Sequence, residues 1–460
     1  MSMRSFTRRS LLKGSAALAA SVLAAGAVSA CGSLPIGGGG GATTINFWWV
    51  QQFTGVTGKE DPKAAKPTDY VDWLLPQFSK AHPNIKVNAQ VLAFNDMRPK
   101  LGTAAASGTG GPDIFYEAAS NLRKYAFLGV LEPVDAYLSA DDLKDFLPLF
   151  VTQMTVQGKK YFWPLFTAGT ALVANRKLFK DLGADSLLPT NDDRTWTFDQ
   201  FQQAAAAVTK EGHYAWGLGL ADQPGDYHIH AFPWGMGAHI FSSDGAKYTF
   251  NSPEAAAGIQ ILADMELQSK ELIPGTAGEH WADLQQLFLQ GKVAFLAGSL
   301  GTENAIKGAM KSGNIPADSI DLYPVAYPSK PPIPPQHYSE AGGLAIWHNQ
   351  NTKTVAAAMA LGQFVSSTDH DKHLAVAMQT PPSRASVGDI FGDDPFNQYV
   401  AKAAQKWGNI DVLQLGYYDL RQVTLPMYQS IMSGKSAVTQ GLSASVQPAQ
   451  QIIDKLRAGH

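Results

Sequence analysis

At 460 residues the chain is too long for one ordinary core and long enough to bury two. Hydrophobic residues make up 45% and charged residues 16%, a balance that excludes an intrinsically disordered chain. A formal net charge of -3 leaves no electrostatic footprint for nucleic acid or for anionic membrane surfaces. A neutral or mildly polar partner is expected.

The single cysteine, Cys31, excludes an internal disulfide framework and a Cys-based zinc site. It closes a segment with a basic start (Arg4, Arg8, Arg9, Lys13), a small-residue apolar stretch from Gly14 to Val28, and Ser29-Ala30. That is the architecture of an export signal. Thr7 to Lys13 resembles the twin-arginine signal, and Val28-Ser29-Ala30-Cys31 resembles a bacterial lipobox with Val where Leu is commoner. The resemblance implies removal of residues 1–30 and lipidation of Cys31. The apolar stretch falls short of the ~20 residues that a membrane-spanning helix needs. Residues 31–43, with Gly37 to Gly41 at their centre, have little to pack and are expected to tether a folded body.

The body opens with Thr43 to Val50, which reads as a buried strand. Val71, Leu74, Leu75 and Phe78 recur at helical spacing, with Pro76 set to kink that helix or mark its start. Ile85, Val87, Ala89 and Val91 alternate as a strand, and Asn95-Asp96 are placed to cap a helix carrying Met97 and Leu101. After Gly110-Gly111-Pro112 come a short strand, Asp113 to Tyr116, and a helical face of Leu122, Tyr125 and Ala126. Alternating strands and helices predict parallel sheets with helices on their faces. Leu284, Leu287 and Phe288, a stop at Gly291, and a strand from Val293 to Ala297 repeat the pattern. The run Pro328 to Pro335 reads as a rigid surface connection, with a peptide ligand for aromatic grooves as the alternative.

At this point the chain resembles the bacterial extracellular solute-binding proteins of the maltose-binding type, which serve ATP-driven importers. The landmarks are ordered: Ile45-Asn46-Phe47-Trp48, Gly110 to Ile114, Phe127 to Pro133, Trp163-Pro164-Leu165-Phe166 leading to Asn175 to Phe179, Thr195 to Phe201, Gly291 to Phe295, and Gly342 to Ile346. The resemblance implies a two-lobed α/β fold, each lobe a mainly parallel sheet flanked by helices, closing on a ligand between them. It places residues 44–164 with 320–370 in the first lobe, and 165–319 with 371–460 in the second. It also implies a small carbohydrate as ligand, importer permease subunits as partners, a monomer lipid-anchored on the outer face of the cytoplasmic membrane, and no cofactor, metal or catalysis.

Residues expected around the cleft follow from the same resemblance and from sugar chemistry. Hydroxyls want carboxylate, amide and guanidinium partners, and the C–H faces of a sugar lie on aromatic rings. The candidates are Trp49, Gln51, Glu117, Ser120, Asn121, Phe166, Tyr227, His230, Trp234, Gly343, Arg384 and Tyr418. Trp48 is expected in the core, with Trp49 on the opposite strand face. Trp234 otherwise packs a helix start, Arg384 otherwise closes the lobes by an ion pair, and one of Tyr417 and Tyr418 is expected to pack. Where relatives often carry Gly-x-Trp, this chain has Gly298-Ser299-Leu300, which argues against maltodextrin itself.

Other readings compete. A phosphate-bearing polyol or a polyamine would suit the same fold, with Arg384 as a candidate anion contact. A secreted carbohydrate-active enzyme would need two facing carboxylates, for which Glu117 and Glu340 are candidates, although no spacing joins them. Gly-x-Ser-x-Gly does not occur, and His228-x-His230 alone makes no metal site.

Overall fold

The computed structural model describes residues 42–51, 66–210, 212–222, 225–299 and 302–458. The export signal, Cys31 and most of the tether lie outside the described residues. Among the described residues no helix is long and apolar enough to cross a membrane.

Among the described residues nine strands organise the body: β1 (Thr43–Val50), β2 (Ile85–Leu92), β3 (Ile114–Ala118), β4 (Thr155–Val156), β5 (Lys159–Lys160), β6 (Phe162–Asn175), β7 (Phe295–Ser299), β8 (Leu322–Val325) and β9 (Ser339–Ile346). The main sheet runs β2-β1-β3-β9-β6-β7, with β8 also on β6, while β4 and β5 form a separate hairpin. β1 pairs in parallel with both β2 and β3. This is the arrangement that helical crossovers dictate. β9 then pairs antiparallel with β3 and β6. Around β6 the ladders to β7 and β8 are antiparallel, and parallel pairing comes as the bridges Tyr214–Val293 and Trp216–Leu272.

Two large cores share the body. The first takes Ile45, Phe47 and Trp49 of β1, Ile114 to Tyr116 of β3, Phe162 to Phe166 of β6 and Ala341 to Ile346 of β9, covered by helices Asp69–Ala81 and Thr352–Val365. The second takes Leu172 and Ala174 of the same β6, Trp196, Phe201, Phe232, Trp234, and the C-terminal helices out to Ile453. The 14-residue β6 therefore begins in one core and ends in the other. Val325, Tyr327 and Tyr338, expected with the first lobe, pack in the second core, whereas Leu374 and Met378 pack with the first. The chain changes cores along β9, just after Tyr338, because the hydrophobic faces, not the loops, fix where one core stops.

Local expectations are met in part. The helix Asp69–Ala81 runs through Pro76. Asn95 and Asp96 do not cap their helix, which starts at Phe94 with Ala93 before it and no side-chain cap. The proline run joins β8 to β9, with the Ser329 N–H donating to Trp196 O (3.2 Å) and the Lys330 N–H to Gly235 O (2.9 Å).

Candidate functional site

Where the two cores meet, charged and aromatic side chains converge. β3 carries Glu117 to its end, fully buried, and the next helix (Ala119–Phe127) carries Ser120 and Asn121 in its first turn, both buried. Arg98, from the helix Phe94–Ser107, forks onto Glu117, with Nη2 to Oε1 at 3.0 Å and Nε to Oε2 at 3.1 Å. The Ala118 N–H also donates to Glu117 Oε1, at 2.8 Å. On β9, Glu340 accepts the Ser120 N–H at 2.5 Å through Oε1. Through Oε2 it accepts the Tyr418 hydroxyl at 2.8 Å and the Tyr338 hydroxyl.

The second core supplies the opposite face. Tyr227, in the first turn of the helix Gly225–Gly235, stacks on Tyr338 with ring centroids 3.8 Å apart and an interplanar angle of 13°. Its hydroxyl donates to that of Tyr418, at 3.1 Å. Arg421, at the start of the helix Arg421–Met432, lies over the rings of Tyr227 (4.0 Å) and Tyr418 (4.7 Å) while its Nη2 meets Asp226 Oδ1 at 2.8 Å. The Arg98 guanidinium also lies over Tyr418, at 5.1 Å. Tyr418 is thus flanked by two arginines, each already paired to a carboxylate.

Burial pushes the hydroxyls of Tyr227, Tyr338 and Tyr418 above the ordinary tyrosine range. They remain neutral donors. Burial opposes the charges of Arg98 and Arg421, yet Glu117 and Asp226 more than restore them. The arrangement gathers carboxylate acceptors, tyrosine hydroxyls and ring faces in one place, here engaged with one another; these are the side-chain types that hold a polar molecule with apolar edges.

Of the predicted residues, Glu117, Ser120, Tyr227 and Tyr418 belong to this cluster. Asn121 is buried on the helix beside it, and Gln51 sits exposed just past β1. Gly343 lies opposite Glu117 in the β3–β9 ladder, and there the chain needs glycine: a Cβ would stand 2.5 Å from the Phe162 ring and 2.7 Å from Trp163 O.

Five of the candidates lie outside this cluster. Trp49 is fully buried, stacked on Tyr70 at 4.8 Å within the first core, and Trp48 is the less buried of the pair. Phe166 packs in the same core, its ring parallel to that of Tyr116. Trp234 is wholly enclosed in the second core, where its Nε1–H donates to Asp411 Oδ2 at 3.0 Å. His230 is enclosed beside it, and burial lowers its pKa to about 3. Arg384 pairs with Asp142 (3.0 Å) and Asp145 (3.1 Å) and donates through Nε to Ser366 O. It borders a cavity of about 530 Å³ with Pro381, Pro382 and Lys402, which none of the cluster's residues lines.

The sequence reading missed Arg98, Asp226, Tyr338 and Arg421, and weighed Glu340 only as a possible acid. Asp226 adjoins a named candidate and Arg421 follows Tyr418 by three positions, so nearness to Tyr227 and Tyr418 was the available signal. Arg98 carries none. Among the described residues no group of three or more His, Cys, Asp or Glu side chains is placed to hold a metal.

A model of the family described as bacterial extracellular solute-binding protein matches residues 63–372. A Brucella abortus (strain 2308) protein whose name specifies no ligand is 23% identical over 408 residues, 85% of this chain and 92% of that protein. The mannitol-binding protein of Pseudomonas aeruginosa is 23% identical over 422 residues, covering 83% of this chain and 89% of its own. Among solved structures, an ABC transporter solute-binding protein of Thermotoga lettingae bound with α-D-tagatose superposes with a TM-score of 0.70 at 18% identity. That match covers 90% of this chain and all of the other.

Proposed function

Because the chain belongs to the bacterial extracellular solute-binding protein family, we propose that it binds a neutral carbohydrate or polyol in the Glu117–Tyr418 cluster and hands it to an import transporter. The observation that carries this reading is the convergence of residues from two separate cores: Arg98–Glu117 and Ser120 from the first, Tyr227, Tyr418 and Arg421–Asp226 from the second, with Glu340 bridging them. A site built from two halves binds most tightly when the halves close, so ligand and closure favour one another. The β6 and β9 crossings join those halves, and we propose them as the boundary between lobes. A relative named for mannitol, and a solved structure of similar fold bound with tagatose, support a small polyhydroxy ligand.

The charge pattern favours a neutral solute over a phosphorylated one. An anion would need an uncommitted cation, and both arginines of the cluster face carboxylates at hydrogen-bond distance. Both oxygens of Glu117 and of Glu340 are likewise engaged, an arrangement for holding and not for the proton transfer of glycoside hydrolysis. The proposal therefore assigns reversible binding without catalysis. Export through the twin-arginine-like signal and anchoring by a lipidated Cys31 complete it, placing a monomer at the outer face of the cytoplasmic membrane. A thermal-shift screen of neutral sugars, polyols, polyol phosphates and polyamines tests it. A ligand at a hundredfold excess over Kd adds ~2.7 kcal/mol to stability. A rise in Tm with a neutral sugar or polyol is expected, and a rise only with a phosphate or an amine would refute the ligand class.

A further inference from the structure

Behind the tyrosines, the helices Gly225–Gly235 and Arg421–Met432 pack against each other and enclose polar atoms that find no partner. Asp226 and His230 are one turn apart on the first helix, and Arg421, Thr424 and Tyr428 lie three and then four residues apart on one face of the second. All five residues are at most 5% exposed. Arg421 meets Asp226 at 2.8 Å, and the rings of His230 and Tyr428 lie 5.6 Å apart edge to face, so the two sets look at each other. Among the described residues, Asp226 Oδ2, His230 Nε2, Arg421 Nε, Thr424 Oγ1 and Tyr428 Oη make no hydrogen bond.

Leaving one such group dry costs on the order of 1–3 kcal/mol. Five together, on facing surfaces, call for a shared occupant. Arg421 Nε can only donate; Asp226 Oδ2 accepts while its carboxyl carries the charge that Arg421 favours and burial opposes; the two hydroxyls do either, and His230 Nε2 does one or the other according to tautomer. A cation would face the guanidinium and an anion the carboxylate. The occupant must be small, neutral and able both to give and to take hydrogen bonds.

We propose that this interface holds an internal water cluster, about two molecules at roughly three hydrogen bonds each, which hydrates the Arg421–Asp226 pair from behind. The waters complete the hydrogen bonding of the arginine on which Tyr227 and Tyr418 stack, and they do so whichever solute the chain binds.

Thr424→Val and Tyr428→Phe, made singly and together in the full chain, test this, since each deletes a hydroxyl and keeps the shape. With shared waters, each variant lowers Tm by several degrees and the double variant loses less than the sum. A rise in Tm, no change, or strictly additive losses would overturn the proposal, because a dry hydroxyl costs nothing to remove. Should the variants not fold, high-resolution diffraction from the unaltered chain decides. Ordered solvent within hydrogen-bond distance of Arg421 Nε and Asp226 Oδ2 is expected, and its absence overturns the proposal equally.

Discussion

Trp234 and Tyr227 stand seven residues apart on one helix, and their environments separate what a side chain can do from where it sits. Trp234 is sealed in the second core and spends its N–H on Asp411, whose Oδ2 also receives the Ile240 N–H at 2.7 Å. Tyr227 lies at the helix's opening turn, where its hydroxyl and ring face the meeting of the cores. Replacing Trp234 by Phe is therefore expected to cost about 1.5–3 kcal/mol of stability, as a buried carboxylate loses one donor. Solute affinity should stay within about twofold, since the proposed site is untouched, and paired urea denaturation and titration calorimetry would measure both. An affinity loss without a stability loss would return Trp234 to the site.

At the scale of elements, β1 shows how far the pattern could be read. Alternation correctly put Trp48 and Trp49 on opposite faces, but the core face is the one shared by Ile45, Phe47 and Trp49, a triplet spaced by two that was already visible in the sequence. The strands and the order of landmarks were legible because each depends on local periodicity or on a motif, while Glu117 and Tyr227 were named from the family resemblance. Arg98 and Arg421 were not, because their roles come from partners on other elements that only the fold brings near. Gly343 on β9 belongs to the same lesson: its lack of a side chain is dictated by Phe162 and Trp163 on β6. Gly343→Ala should lower stability by ~1–3 kcal/mol through overpacking, read as a drop in Tm; an unchanged Tm would mean that the β6–β9 spacing is looser than described. The helix Thr368–Met378 carries a pH-dependent tie, in which the buried Asp371 carboxylate accepts the N–H groups of Ser383 (3.2 Å) and Arg384 (2.9 Å). Burial pushes its pKa up to about 7 in spite of those bonds. A raised carboxyl pKa means that the folded state holds its proton longer than the unfolded chain. Its stabilising contribution is complete below the ordinary carboxyl range and fades as pH rises to 7. Asp371→Asn should flatten that part of the Tm-against-pH curve, and an unchanged slope would assign the pH dependence to other groups.

For the whole molecule, the governing feature is that one long strand and its neighbour tie two cores together while the polar cluster forms between them. Such a body can gain from a ligand only what the two faces contribute jointly. The most direct measurement is a calorimetric titration of the full chain with the sugar or polyol selected by thermal shift, repeated on Tyr418→Ala, with near-ultraviolet circular dichroism as a check of folding. The predicted result is one neutral ligand bound per chain, with affinity falling at least tenfold in the folded variant. Unchanged affinity in that variant, or binding restricted to phosphorylated or cationic solutes, would contradict a neutral-solute site at the meeting of the two cores.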